Sequence, residues 1–297
     1  LYNHPVLTAI AGTDTGSRAL DVQIGLPELP EAGTELHFGL IRGWLHDCDT
    51  AHSTPTCKPS KDTRLTATTS SKLPTRLIDV GKNGEDIVKL QKMRAEDTDD
   101  WIALSYRWGD SPPFSTTRQN LSCHIDGMML ATLPRTFQDA IKVTRALGRK
   151  YLWIDSICII QGEDGDFRHE SKRMEDVYSG AYCVLAASCA TDQRSGFLFP
   201  RVERGYVALN PNQGGIGGLL YACSMIEDFR GHVLKGALHK RGWVLQEHAL
   251  ARRTVFFTEH QTYWECGHGV RCETMVKMKK WVLHSVLFGA CCWHKGS

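Results

Sequence analysis

The chain has 297 residues, 42% of them apolar and 23% charged, enough for one large domain with a sizeable core. Lys and Arg number 35 against 33 Asp and Glu, so no overall field draws the protein to nucleic acid or to an anionic membrane. The longest apolar stretch, Trp281 to Trp293, is too short to span a bilayer and contains His284.

Residues 1–40 are rich in Gly, Pro and Thr with weak periodicity, and Leu40–Trp44 reads as the start of a short helix. Ser, Thr, Pro and Lys dominate residues 48–72, the composition of a surface loop or linker. Residues 1–72 are therefore read as an extension ahead of a compact domain over 73–276, with an irregular tail over 277–297. Residues 76–81, RLIDVG, predict a strand closed by a Gly turn, and Trp101–Tyr106 a buried strand followed by a loop over 112–120. Pro134 opens a helix to about Leu147. Its inner face is Phe137, Ala140, Ile141, Thr144 and Leu147, with Arg135, Asp139, Lys142 and Arg145 facing water and Gly148 ending it. Tyr151–Ile160 predicts a second buried strand, Phe167–Tyr178 a helix with Met174, Val177 and Tyr178 inward, and Ala181–Ala187 a third strand. Arg241–Leu250 reads as helical. Thr254–Thr258 and Thr262–Glu265 read as strands joined by a turn around Glu259–Gln261. This alternation predicts an α/β fold: a partly parallel central sheet flanked by helices, with an irregular, β-containing C-terminal part.

Eleven cysteines without a secretory signal point to a reducing, cytoplasmic setting, in which Cys158, Cys183 and Cys189 act as small apolar residues. A chain that opens on Leu rather than Met reads as part of a longer protein. Cys48, His52 and Cys57 form one Cys/His group and Cys266, His268 and Cys272 another. Neither alone supplies four ligands at a finger spacing, so no metal site is assigned; zinc shared between the two is the alternative to loop cysteines beside a structural histidine. Gly214–Gly218 is not a GxGxxG between strand and helix, and no Walker A, HExxH or GxSxG sequence occurs.

Three segments put Trp beside charged or amide residues in apolar runs: 101–110 (WIALSYRWGD), 151–161 (YLWIDSICIIQ) and 241–250 (RGWVLQEHAL). A buried polar group left unpaired costs about 1–3 kcal/mol, so these residues pair with one another or face a ligand. Arg107 and Asp155 follow predicted strands, where α/β sheets bind ligands; they bind a polar ligand there or pair together. Glu170, just after the plausible N-cap Asp166, serves the helix dipole or faces the same edge. Glu247 and Arg241 carry the same two readings. Trp108, Trp153 and Trp243 read as core packing around these groups, Trp108 also standing with the residues that place a ligand.

At these residues the sequence resembles the heterokaryon-incompatibility (HET) domain of filamentous fungi. The resemblance covers roughly Leu73 to Cys272. It rests on WIALSYRWGD (101–110), LPRTFQDAIKVTRALGRKYLWIDSICIIQ (133–161), the Phe167–Glu170–Arg173–Met174–Val177–Tyr178–Ala181 pattern, RGWVLQE (241–247) and YWEC (263–266). Phe167 stands where the family usually has Trp. The resemblance implies a role in fungal non-self recognition and programmed cell death. It also implies a distant relationship to Toll/interleukin-receptor (TIR) domains, some of which hydrolyse NAD. On that basis Glu170 and Glu247 are the candidate catalytic carboxylates, and Arg107, Trp108, Asp155 and Arg241 the substrate-binding residues. NAD would be a substrate, with no cofactor. The alternative is a non-enzymatic module that signals by homotypic assembly; partners would be further copies or other incompatibility proteins.

Overall fold

The structure, a computed structural model, describes residues 6–10, 23–24, 28–52, 56–57, 73–94, 96–97, 99–110, 112–209, 219–240, 242–275 and 277–278. A ten-stranded mixed sheet organises them. Its strands are β1 (Arg76–Asp79), β2 (Ile87–Lys92), β3 (Trp101–Ser105), β4 (Met128–Met129), β5 (Tyr151–Trp153), β6 (Cys183–Ala186), β7 (Arg253–Phe257), β8 (Thr262–Cys266), β9 (Gly269–Cys272) and β10 (Lys277–Met278). Across the sheet the order is β10-β9-β8-β7-β6-β3-β5-β1-β2-β4. The four central strands, β7, β6, β3 and β5, are parallel, with Val184 in register with Ala103 on one side and Thr254 on the other. Antiparallel strands extend both flanks. The expected partly parallel sheet is the observed one.

Sequence explains this layout. Every residue of β3, β5 and β6 is buried, as a parallel strand covered on both faces requires. On the flank, β2 alternates: Val88 and Leu90 point inward while Ile87 and Lys89 face solvent.

Seven α-helices are present among the described residues: α1 (Glu35–Ala51), α2 (Leu121–Asp126), α3 (Arg135–Ala146), α4 (Asp155–Cys158), α5 (Phe167–Glu170), α6 (Met174–Gly180) and α7 (Gly242–Leu250). The connection from β3 to β5 runs one way along the sheet, and that from β5 to β6 runs back past β3. Right-handed crossovers in opposite directions put their helices on opposite faces. Accordingly α1 contacts α3, and α6 contacts α7. The reversal also leaves a crevice at the carboxyl end of β3. Trp153 lies in the core beside it, edge-on to Tyr178 with ring centroids 5.6 Å apart.

Five local expectations change. The strand expected over Tyr151–Ile160 stops at Trp153, because Asp155 accepts from its neighbour Ser156 N–H (2.6 Å) and the Ile157 and Cys158 N–H groups bond to the Ile154 carbonyl. That is a helical turn, α4. Asp139, expected to face water, is buried; its carboxylate accepts from Phe197 N–H (2.9 Å) and Leu198 N–H (3.1 Å). Cys48 to Ala51, expected in a loop, continue α1, which buries Phe38, Ile41, Trp44, Leu45 and Cys48 at helical spacing. The helix from Phe167 is interrupted by a 3-10 turn over Ser171–Arg173. Thr116–Thr117, within the expected loop, pairs in parallel with Ile160–Gln161. A separate four-stranded sheet joins Tyr206–Leu209, Leu219–Cys223, Val6–Ile10 and Gln23–Ile24. Gly214–Gly218 lie outside the described residues.

Candidate functional site

The carboxyl end of β3 sends successive side chains to different neighbours. Ser105 donates its hydroxyl proton to the Glu247 carboxylate on α7, at 2.5 Å. Tyr106 O–H donates to Ser156 Oγ (3.0 Å), and the Trp108 indole N–H donates to Asp155 Oδ2 (2.7 Å). Asp155 is thereby held from two sides at the start of α4, directly beyond β5.

Tyr106, Trp108, Asp155 and Glu247 line a cavity of about 250 Å3. Its apolar wall comes from Leu104, Ile159, Met174 and the ring of Tyr178, and Phe167 stands half exposed at its rim. Asp155, Gln161, Ser171 and Glu247 supply polar groups. Burial, then the nearby carboxylates of Glu247 and Asp155, push the Tyr178 hydroxyl well above its ordinary range. Tyr178 therefore stays protonated at neutral pH and acts as a hydrogen-bond donor. Aromatic walls with two carboxylates suit a flat ligand that carries or develops positive charge.

Residues 101–247, from the first residue of β3 to the carboxylate in the cleft, match the family model described as Heterokaryon incompatibility protein (HET). The chain carries a HET domain. No curated protein and no solved structure matches it.

In the HET domain, Trp108, Asp155 and Glu247 meet in one cleft. Arg107 does not join them. It lines a second cavity of about 250 Å3, between the ends of β3, β6 and β7, beside Thr191, His232 and His260. It forms no ion pair with Asp155, whose indole partner takes the place expected for the guanidinium. Glu170 does not line the cleft either. Its buried carboxylate accepts from Thr75 O–H (2.7 Å) and lies 3.0 Å from His169 Nδ1, while Arg173 ties Thr75 and the Leu73 carbonyl to the 3-10 turn that follows. Arg241 lies outside the described residues, as does the side chain of Trp243.

Reading the sequence alone leaves out Tyr106, Gln161, Phe167 and Tyr178 as cleft residues. All four stand in the recognisable blocks, but an aromatic on a helix face reads first as core packing. Only the turn of α5 and α6 towards the end of β3 shows that Phe167 and Tyr178 have a side free for the cleft.

Away from the cleft, the two Cys/His groups regroup. Cys266 joins Cys48, His52 and Cys57. Cys272 instead lies 3.1 Å from Thr274 Oγ1, and the His268 ring stacks on His52.

Proposed function

We propose that this HET-domain protein acts in fungal non-self recognition leading to programmed cell death, and that the cleft cleaves the nicotinamide–ribose bond of NAD or a related nucleotide. The observation that carries this reading is the convergence of Asp155, Glu247, Trp108 and Phe167 on one cavity at the carboxyl end of β3. Breaking the bond leaves its electron pair on nicotinamide and a cation on the ribose. Before cleavage the positive charge sits on the pyridinium ring; a carboxylate preorganised beside the ribose stabilises it more as it moves onto the ribose, which is how fixed charge lowers a barrier. Glu247, oriented by Ser105 and Tyr178, fills this role, and Trp108 and Phe167 flank the leaving ring. Water then adds to the ribose carbon and passes its proton to a carboxylate or to solvent. The fit favours Glu247 over Glu170 as the catalytic carboxylate. No disulfide joins any two of the nine described cysteines, which supports a reducing, cytoplasmic setting. No helix among the described residues is long and apolar enough to cross a membrane.

The test is nicotinamide release from NAD by the purified protein. Glu247→Gln and Asp155→Asn are expected to lower kcat/KM by about 100-fold each while circular dichroism stays native. A folded wild-type protein that releases no nicotinamide overturns the reading. So does a Glu170→Gln variant that abolishes release while Glu247→Gln does not. One observation favours the alternative of homotypic assembly: the edge strand Tyr206–Leu209 exposes Tyr206 and Val207 beside Val202. Concentration-dependent assembly without turnover supports that second reading.

A further inference from the structure

Far from the cleft, four side chains from the two ends of the described chain converge. Cys48 sits in the last turn of α1, His52 caps that helix one turn on, Cys57 follows, and Cys266 ends β8. All four are buried, and their ligand atoms lie within 4.8 Å of one another. We propose that Cys48, His52, Cys57 and Cys266 bind a structural zinc ion.

Three observations carry the proposal. The donor set is three cysteines and one histidine, a composition used by closed structural zinc sites. The distances fit too. Zn–S bonds of about 2.3 Å and Zn–N bonds of about 2.1 Å at tetrahedral angles put sulfur and nitrogen about 3.6 Å apart. His52 Nδ1 lies 3.5 Å from Cys57 Sγ and 3.6 Å from Cys266 Sγ. Finally, the surroundings are built to hold the ligands in place. The His268 backbone N–H points at Cys266 Sγ (3.5 Å), the kind of support a thiolate ligand receives. The His268 ring stacks on His52 with centroids 3.8 Å apart. Arg253 clamps the Cys57 carbonyl (3.0 Å) and the Asp49 carboxylate (2.7 Å). Gly267 lets the two segments close: a Cβ there would stand 2.1 Å from Thr56 Oγ1 and 3.3 Å from Cys57 Sγ.

Four protein ligands leave no open position, so this zinc holds structure and performs no chemistry. It joins α1 to the β8–β9 hairpin, both outside the matched span of residues 101–247. Neither Cys/His group of the sequence supplies this ligand set alone, because the fourth ligand, Cys266, lies 214 positions from His52.

The full chain, purified under reducing conditions without chelator, is expected to carry about one zinc per chain by elemental analysis. Cys266→Ser is expected to lose it, and Cys272→Ser to keep it. Cobalt exchanged for zinc is expected to give the visible bands of a tetrahedral thiolate site. His52→Cys, which offers a fourth thiolate, is expected to retain the metal with shifted bands, and so decides the matter even if Cys266→Ser fails to fold. A natively folded chain with no zinc above background and no cobalt bands overturns the proposal. A cobalt spectrum that both Cys266→Ser and His52→Cys leave unchanged also overturns it.

Discussion

His37 Nε2 and Glu273 Oε1 lie 2.8 Å apart, both fully buried, one on α1 and the other just beyond β9. Gly33 N–H donates to His37 Nδ1 (3.0 Å), which assigns the ring proton to Nε2, facing the carboxylate. Arg201 completes the group, with Nη2 2.5 Å from the same carboxylate oxygen and 2.9 Å from Thr262 Oγ1.

Removing one member of such a buried group strands the others. Glu273→Ala is expected to cost about 3–5 kcal/mol of stability, because Arg201 keeps its charge without its carboxylate. Glu273→Gln, which restores an acceptor, is expected to cost less. Urea unfolding of both variants checks the order; equal stability of Glu273→Ala and wild type rejects it.

The Trp108–Asp155 hydrogen bond makes a separate prediction. Trp108→Phe keeps an aromatic ring at the cleft but removes the indole donor to a carboxylate. The expected loss is about 1.5–3 kcal/mol, the range for hydrogen bonds to charged groups. Chemical denaturation measures it, and an unchanged midpoint would show that solvent replaces the donor at no cost.

Stability also depends on pH through His239. Burial first, then the neighbouring His248, lower its pKa from the ordinary 6.5 to about 4. Its Nε2 lies 3.1 Å from His248 Nδ1, while its Nδ1 is buried without a hydrogen-bond partner and has nowhere to place a second proton. The unfolded chain therefore binds a proton that the folded chain refuses between these two values. Stability is complete above about pH 6.5 and falls as pH drops towards about 4, by roughly 3 kcal/mol for this residue. His239→Phe, packed against Phe256, is expected to flatten that part of the stability–pH curve. A slope as steep as wild type between those pH values would assign the effect to other groups.

Gly196 sits at φ +78°, and a Cβ there would lie 2.7 Å from Arg135 Cγ and 2.8 Å from Asp139 Oδ2. Gly196→Ala thus combines a left-handed backbone with displacement of the carboxylate that holds Phe197 and Leu198. The expected cost exceeds about 1 kcal/mol, the usual strain of a left-handed non-glycine residue alone. A thermal melt at neutral pH tests it.

Which parts of the fold could be read from sequence follows from the range of the forces involved. β3 and β6 are legible because their continuous apolar runs are local properties. Asp139 misleads because helical periodicity assigns it to the wet face, while its partners lie nearly sixty positions away at Phe197 and Leu198. The end of β5 at Trp153 is hidden for a different reason: apolar residues continue to Ile160, and a single aspartate turns the chain. For the cleft, Trp108, Asp155 and Glu247 are legible as polar positions in apolar blocks. Their gathering, and the exclusion of Arg107 and Glu170 from it, depend on the crossover reversal around β3.

The span matched by the family model stops at Glu247, yet β7 follows within a few residues and pairs with Val184, Leu185 and Ala186 of β6. A fragment excised at that limit would present β6 as a bare edge, its buried Val184 and Leu185 uncovered. It would also lack α1 and the hairpin that close the sheet. The unit that folds is therefore larger than the unit that recurs, and transplanting the recurrent segment alone is expected to give an aggregating polypeptide rather than a working module.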